Sequence, residues 1–102
     1  MPTITIPMPD LPENRATVVS VDDRCIMLCR TARGIRAADG FCPHQRKTLA
    51  DARVRGGAIT CLHHGARFDL DTGKSLSSLT PNPLVLFPAE EVDGALQIVI
   101  AE

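Results

Sequence analysis

The chain has 102 residues, 44% hydrophobic and 23% charged, with a formal net charge of −1. That length fits one domain, residues 1–102, and the charge balance argues against nucleic acid or an anionic membrane surface as a partner. No run approaches the ~18 apolar residues a membrane span needs. The proline-broken start, Met1-Pro2-Thr3-Ile4-Thr5-Ile6-Pro7-Met8-Pro9, has no basic n-region or apolar h-region, so the cytoplasm is the expected address.

In chain order, the texture is that of an all-β protein, with short β-branched runs broken by turn chemistry. Thr3 to Ile6 reads as a first strand. Ala16 to Val21 and Arg24 to Arg30 flank Asp22-Asp23, a two-residue hairpin signal. Gly34 to Ala37 is a third run, and Ala58-Ile59-Thr60 follows the turn pair Gly56-Gly57. Arg67 to Leu70 and Lys74 to Leu76 flank the turn Asp71-Thr72-Gly73. Leu79-Thr80-Pro81-Asn82-Pro83 is a loop, because proline cannot donate to a ladder. Leu84 to Phe87 and Ala95 to Ile100 flank a further loop that includes Asp93-Gly94. No segment holds a 3.6-residue period for three turns, so little helix is expected.

Four cysteines raise the question of a disulfide scaffold. Cys25 and Cys29 lie on one strand-like run, about 13 Å apart along it, whereas a bridge needs Cα atoms within ~7 Å. They are expected to be reduced thiols packed as small hydrophobes, as suits a reducing compartment.

The other two cysteines belong to Cys42-Pro43-His44 and Cys61-Leu62-His63-His64. Each half offers a thiolate and an imidazole. Two soft anionic and two neutral nitrogen ligands suit a 2Fe–2S centre in which two Cys hold one iron and two His the other. With both irons ferric, the two sulfides and two thiolates balance the charge, so the oxidised centre is neutral and the reduced one singly negative. Tetrahedral zinc also accepts two Cys and two His, but zinc fingers pair like with like at short spacing. A Cys–His nucleophile needs a general base placed by the fold, not a histidine two or three residues away. For so short a chain, a bound metal centre also adds stability, since such a domain buries only about 65% of its unfolded surface. Residues 42–74 carry Arg46, Lys47, Arg53, Arg55, Arg67 and Lys74 against three aspartates, either solvated loop charges or a basic rim that orients an acidic partner.

Cys42-Pro43-His44-Gln45, Cys61-x-x-His64-Gly65 and Phe68-Asp69-x-x-Thr72-Gly73 resemble Rieske-type ferredoxins, and the likeness extends over essentially the whole chain. It implies an antiparallel β-sandwich of three sheets with a small cluster-binding subdomain at about residues 40–80. It also implies one 2Fe–2S cluster held by Cys42, His44, Cys61 and His64, with the histidine edges exposed. His63 is a rival to His64, because Cys61-x-His63 copies the first half-motif, while Gly65 favours His64. Arg46 and Leu62 stand where high-potential Rieske proteins carry disulfide cysteines. Ala66 and Phe68 stand where those proteins carry Ser and Tyr hydroxyls. A potential near the low end of the Rieske range, roughly −150 mV, follows.

The resemblance implies a soluble, monomeric one-electron carrier, not catalytic alone. It would pass electrons from a flavin-dependent ferredoxin reductase to a terminal oxygenase of aromatic-ring hydroxylation. An oxygenase needs a second, mononuclear iron, and three histidines in 102 residues leave no room for one. The alternatives are a small Rieske subunit bound permanently in a larger redox enzyme, such as nitrite reductase, and a zinc-stabilised interaction domain.

Overall fold

The computed structural model describes residues 3–43, 47–62, 65–77 and 82–100. Ten strands and no helix run through them: β1 (Thr3–Pro7), β2 (Thr17–Val21), β3 (Arg24–Thr31), β4 (Gly34–Asp39), β5 (Arg53–Arg55), β6 (Ala58–Thr60), β7 (Arg67–Asp69), β8 (Leu86–Phe87), β9 (Ala89–Val92) and β10 (Ala95–Val99). Three of the connections are two-residue turns with positive φ at both positions: Asp22-Asp23, Gly56-Gly57 and Asp93-Gly94. Such turns match the right-handed twist of the strands they join.

The strands form three antiparallel sheets, ordered β1-β10-β9, β2-β3-β4-β8 and β5-β6-β7. The second sheet is the middle layer, and β3 shows why. Met27 and Cys29 enter one hydrophobic core, whereas Ile26 and Leu28 enter another. All four are 0% exposed. A strand buried on both faces reads as a continuous apolar run, as this one does. The alternation continues across the sheet through the register Val18–Met27–Ala38 on one face. Ile4, Ile6, Leu96 and Ile98 of the first sheet complete one core. Val54, Ile59 and Phe68 of the third sheet complete the other, together with Cys42 and Cys61.

β5 and β9 were not anticipated from the sequence. Arg53-Val54-Arg55 pairs with β6 across Gly56-Gly57. Ala89 to Val92, expected to be loop, pairs with β10 across Asp93-Gly94. Conversely, Lys74 to Leu76 makes one bridge, Phe68 to Ser75, instead of a strand. Only Leu86–Phe87 of the expected run from Leu84 is strand. In the loop expected at 79–83, residues 79–81 lie outside the described residues.

Two glycines sit at contacts no side chain fits. A Cβ on Gly40 would overlap Cys25, whose carbonyl accepts the Gly40 amide at 2.9 Å. A Cβ on Gly73 would overlap the Leu84 carbonyl, and the Leu84 amide donates to the Gly73 carbonyl at 2.8 Å. The second contact clips residues 82–85 against the turn that follows β7.

Candidate metal centre

Cys42 and Cys61 each begin the tip of a hairpin built to the same plan. In the first, the Leu49 amide donates to the Gly40 carbonyl at 2.9 Å, Phe41 bridges Thr48, and the Cys42 amide donates to the Lys47 carbonyl at 2.7 Å. In the second, Ile59 pairs with Phe68 and Thr60 with Arg67, and the Cys61 amide donates to the Ala66 carbonyl at 2.8 Å. Each cysteine thus hydrogen-bonds the residue five positions on and closes a loop of four inner residues. Those inner positions hold Pro43-His44-Gln45-Arg46 and Leu62-His63-His64-Gly65. His44, His63 and His64, like Gln45 and Arg46, lie outside the described residues.

The ladders continue into the body of the protein, which fixes the loop bases. Gly40 ties the first hairpin to β3 through the Cys25 carbonyl. The Asp39 carboxylate accepts the Phe41 amide at 3.3 Å. In the second hairpin the Asp69 carboxylate accepts the amides of Asp71 at 2.7 Å and Thr72 at 3.2 Å, shaping the turn that follows. Gly65 has φ +74°, and its amide donates to the Cys61 carbonyl at 3.0 Å. A Cβ there would meet no protein atom, so it is this left-handed turn, not crowding, that calls for glycine.

Burial separates the four cysteines chemically. Cys42 is 1% and Cys61 3% exposed, and both line one core with Leu49, Ile59, Ala66 and Phe68 beneath the two loops. No disulfide joins any of the four. Burial pushes the Cys29 thiol up to about 11, with nearby Arg36 partly opposing it. Cys25 is also raised, by burial first and then by Asp39. These two stay protonated at neutral pH and act as packing groups, as expected. Cys42 and Cys61 differ from them in position, each starting a loop closed by its own backbone hydrogen bond. Two buried thiols in one core, each with an imidazole-bearing residue in its own loop, fit a 2Fe–2S cluster with mixed ligands.

The side chains around the thiols are apolar. Ala66 and Phe68 are both 0% exposed, and neither side chain carries a hydroxyl that could reach a cluster sulfur. Leu62, beside Cys61, is 55% exposed and leaves an apolar side chain at the tip. The carbonyls of Lys47 and Ala66, which close the two loops, were not anticipated. Backbone acceptors carry no residue-type signal.

A profile of the Rieske [2Fe-2S] domain matches residues 3–88. The ferredoxin component of the naphthalene 1,2-dioxygenase/salicylate 5-hydroxylase systems of Ralstonia sp. is 31% identical over 81 residues, 79% of this chain and 78% of that protein. A ferredoxin of Sphingomonas yanoikuyae B1 superposes with a TM-score of 0.86 at 20% identity, covering 98% of this chain and 100% of the other. A chain from a complex of reduced oxygenase and oxidised ferredoxin in carbazole 1,9a-dioxygenase superposes with a TM-score of 0.82 at 23% identity, covering 95% of this chain and 92% of the other. With the profile spanning most of the sequence and both thiols placed at paired hairpin tips, the chain belongs to the Rieske [2Fe-2S] domain family, and its cofactor is one 2Fe–2S cluster.

Proposed function

We propose that this protein is the ferredoxin component of a ring-hydroxylating dioxygenase system, an electron carrier that is not catalytic alone. A flavin-dependent reductase donates to it, and a terminal oxygenase accepts from it. The observation that carries this reading is the pair of buried thiols, Cys42 and Cys61, at the starts of two matched loops in a chain related to such a component. Cys42 and Cys61 are assigned to one iron and His44 and His64 to the other, within a cluster-binding subdomain of about residues 40–80. When bound, the cluster supplies a one-electron couple.

The protein's own part is to hold two thiolates in a dry base at the starts of two loops closed by backbone hydrogen bonds. Apolar packing beneath the thiols excludes water, and the short ladders under each loop limit rearrangement on electron transfer. The exposed Leu62 is available to a partner's apolar contact next to the histidine ligands. Among the described residues no helix is long and apolar enough to cross a membrane. The absence of disulfides fits a reducing compartment, and we assign the protein to the cytoplasm as a monomer.

The test is a reconstituted chain of electron transfer. The carrier reading expects the purified, cluster-loaded protein to be reduced by a flavoprotein reductase and reoxidised by a Rieske oxygenase, with substrate turnover dependent on it. A chain that purifies only inside a larger redox enzyme, and that exchanges no electrons when isolated, would favour the bound-subunit alternative.

A further inference from the structure

The third sheet has an outer face that cluster binding does not use. Arg53 and Arg55 alternate with buried Val54 on β5, and Arg53 and Arg67 flank Thr60 in one row across the sheet. Arg15 joins them through its bridge to Arg53. These four exposed arginines line a single groove of about 750 Å³ with Glu13, the one acidic residue in its wall. Strand spacing puts Arg53 and Arg55 about 7 Å apart, and Arg53 and Arg67 about 10 Å, at their Cα atoms. Each of the four therefore lies within roughly one Debye length of at least one other at about 0.1 M salt.

The carboxylates of Asp69 and Asp71 are engaged elsewhere. Arg33 and Arg36 both pair with Asp71, at 3.4 and 2.9 Å. The carboxylate of Asp69 is committed to backbone amides. Among the described residues no carboxylate pairs with Arg15, Arg53, Arg55 or Arg67. Edge strands do carry charge to discourage sheet-to-sheet pairing. That role needs only one or two charges on β5, whereas this set continues through Arg67 on the opposite edge and Arg15 outside the sheet. Like charges gathered this closely repel in the isolated protein, and an anionic surface laid along the groove removes that repulsion.

We infer that the groove of Arg15, Arg53, Arg55 and Arg67 is a docking surface for an acidic face of a protein electron-transfer partner. Position supports this as well as charge. Arg67 follows Ala66, the residue that closes the Cys61 loop, so a partner seated in the groove lies alongside the cluster end. The whole chain has a net charge of −1, unlike a nucleic-acid-binding domain, so the positive field is local and orienting. Only Arg53, Arg55 and Arg67 fall within the basic stretch seen in the sequence. Arg15 is added by the fold, and Lys74 does not line the groove.

This inference rests on the electron-carrier reading, and the two are tested separately. The cluster-loaded protein is titrated with poly-L-aspartate and with duplex DNA at low and high ionic strength, for the wild type, R53E/R55E, R15E and K74E. Reversible reduction and reoxidation of each variant, followed by its visible spectrum, shows that the cluster is intact. Polyaspartate is expected to bind the wild type at low salt and to dissociate at high salt. R53E/R55E weakens it about tenfold, R15E weakens it less, and K74E leaves it nearly unchanged. Should R53E/R55E lose its cluster, R15E against K74E decides the matter. No polyaspartate binding by a redox-competent wild type, equal weakening by K74E, or tighter binding of duplex DNA would overturn the docking surface while leaving the carrier reading intact. A protein that does not cycle its cluster contradicts the carrier reading whatever it binds.

Discussion

Cys42 and Cys61 make the same backbone hydrogen bond at the start of their loops, to Lys47 and Ala66 respectively, and both thiols are buried in one core. Replacing either by Ala is expected to abolish the cluster's visible absorption and to leave a less stable protein, since bound metal contributes directly to folding free energy. The histidines divide differently. H64A is expected to lose the Rieske spectrum and H63A to keep it, and the reverse outcome would assign the ligand to His63. Ala66 and Phe68 shape the potential by what they lack. A66S, which offers a hydroxyl at the foot of the Cys61 loop, is expected to raise the midpoint potential by about 40 mV. That is one hydrogen bond of ~1 kcal/mol to the reduced centre, at 59 mV per 1.4 kcal/mol for one electron. Protein-film voltammetry reads this shift. Away from the cluster, Cys29 ties stability to alkaline pH. Its folded value of about 11 lies above the ordinary 9.0, so the native state holds its proton where the unfolded chain releases it. Its contribution is complete below pH 9 and is lost as the pH rises toward 11, by roughly 2–3 kcal/mol. Denaturant titrations are expected to show that decline in the wild type and a shallower one in C29A.

At the scale of elements, the glycines and hairpin turns decide what stays rigid. G73A is expected to destabilise the protein by at least ~1 kcal/mol, because it puts a side chain at φ +80° and overlaps the Leu84 carbonyl. Thermal unfolding of the loaded protein measures it. The Arg36–Asp71 pair, partly exposed on both sides, is worth no more than about 1 kcal/mol. Sequence patterning located eight of the ten strands, because β-branched runs and turn pairs coincide along most of the chain. It missed β5, where two arginines around a lone valine read as polar loop, although Val54 is 4% exposed. It missed β9 because Ala-Glu-Glu-Val offers little β signal, and its pairing to β10 supplies what propensity does not. Lys74 to Leu76, expected as a strand, makes only the single Phe68–Ser75 bridge with its two flanking hydrogen bonds, and the Gly73 carbonyl before it turns to Leu84. At the site, residue types and spacing made Cys42 and Cys61 legible. Their equivalence as loop closers was not, because it is made of carbonyls.

For the whole molecule, two cores on opposite faces of one middle sheet divide the labour. One is filled from the first sheet, while the other receives the third sheet with Cys42 and Cys61, so both thiols rest on the same apolar mass that holds the layers together. Six cations between residues 42 and 74 looked like one basic segment in the sequence. Folding places Arg53, Arg55 and Arg67 in one groove, adds Arg15, and leaves Lys74 out of it. With no disulfide between the loops and no hydroxyl at residues 66 and 68, two groups that stabilise a reduced cluster are missing. A midpoint near about −150 mV is expected, and potentiometry above about +100 mV would contradict it. The most direct test of the central claim is low-temperature EPR of the dithionite-reduced protein, recorded with its visible spectrum. Mixed cysteine and histidine ligation predicts a coloured protein that bleaches on reduction, with an average g below that of an all-cysteinyl 2Fe–2S ferredoxin. A colourless protein, or the all-cysteinyl signal, would contradict it.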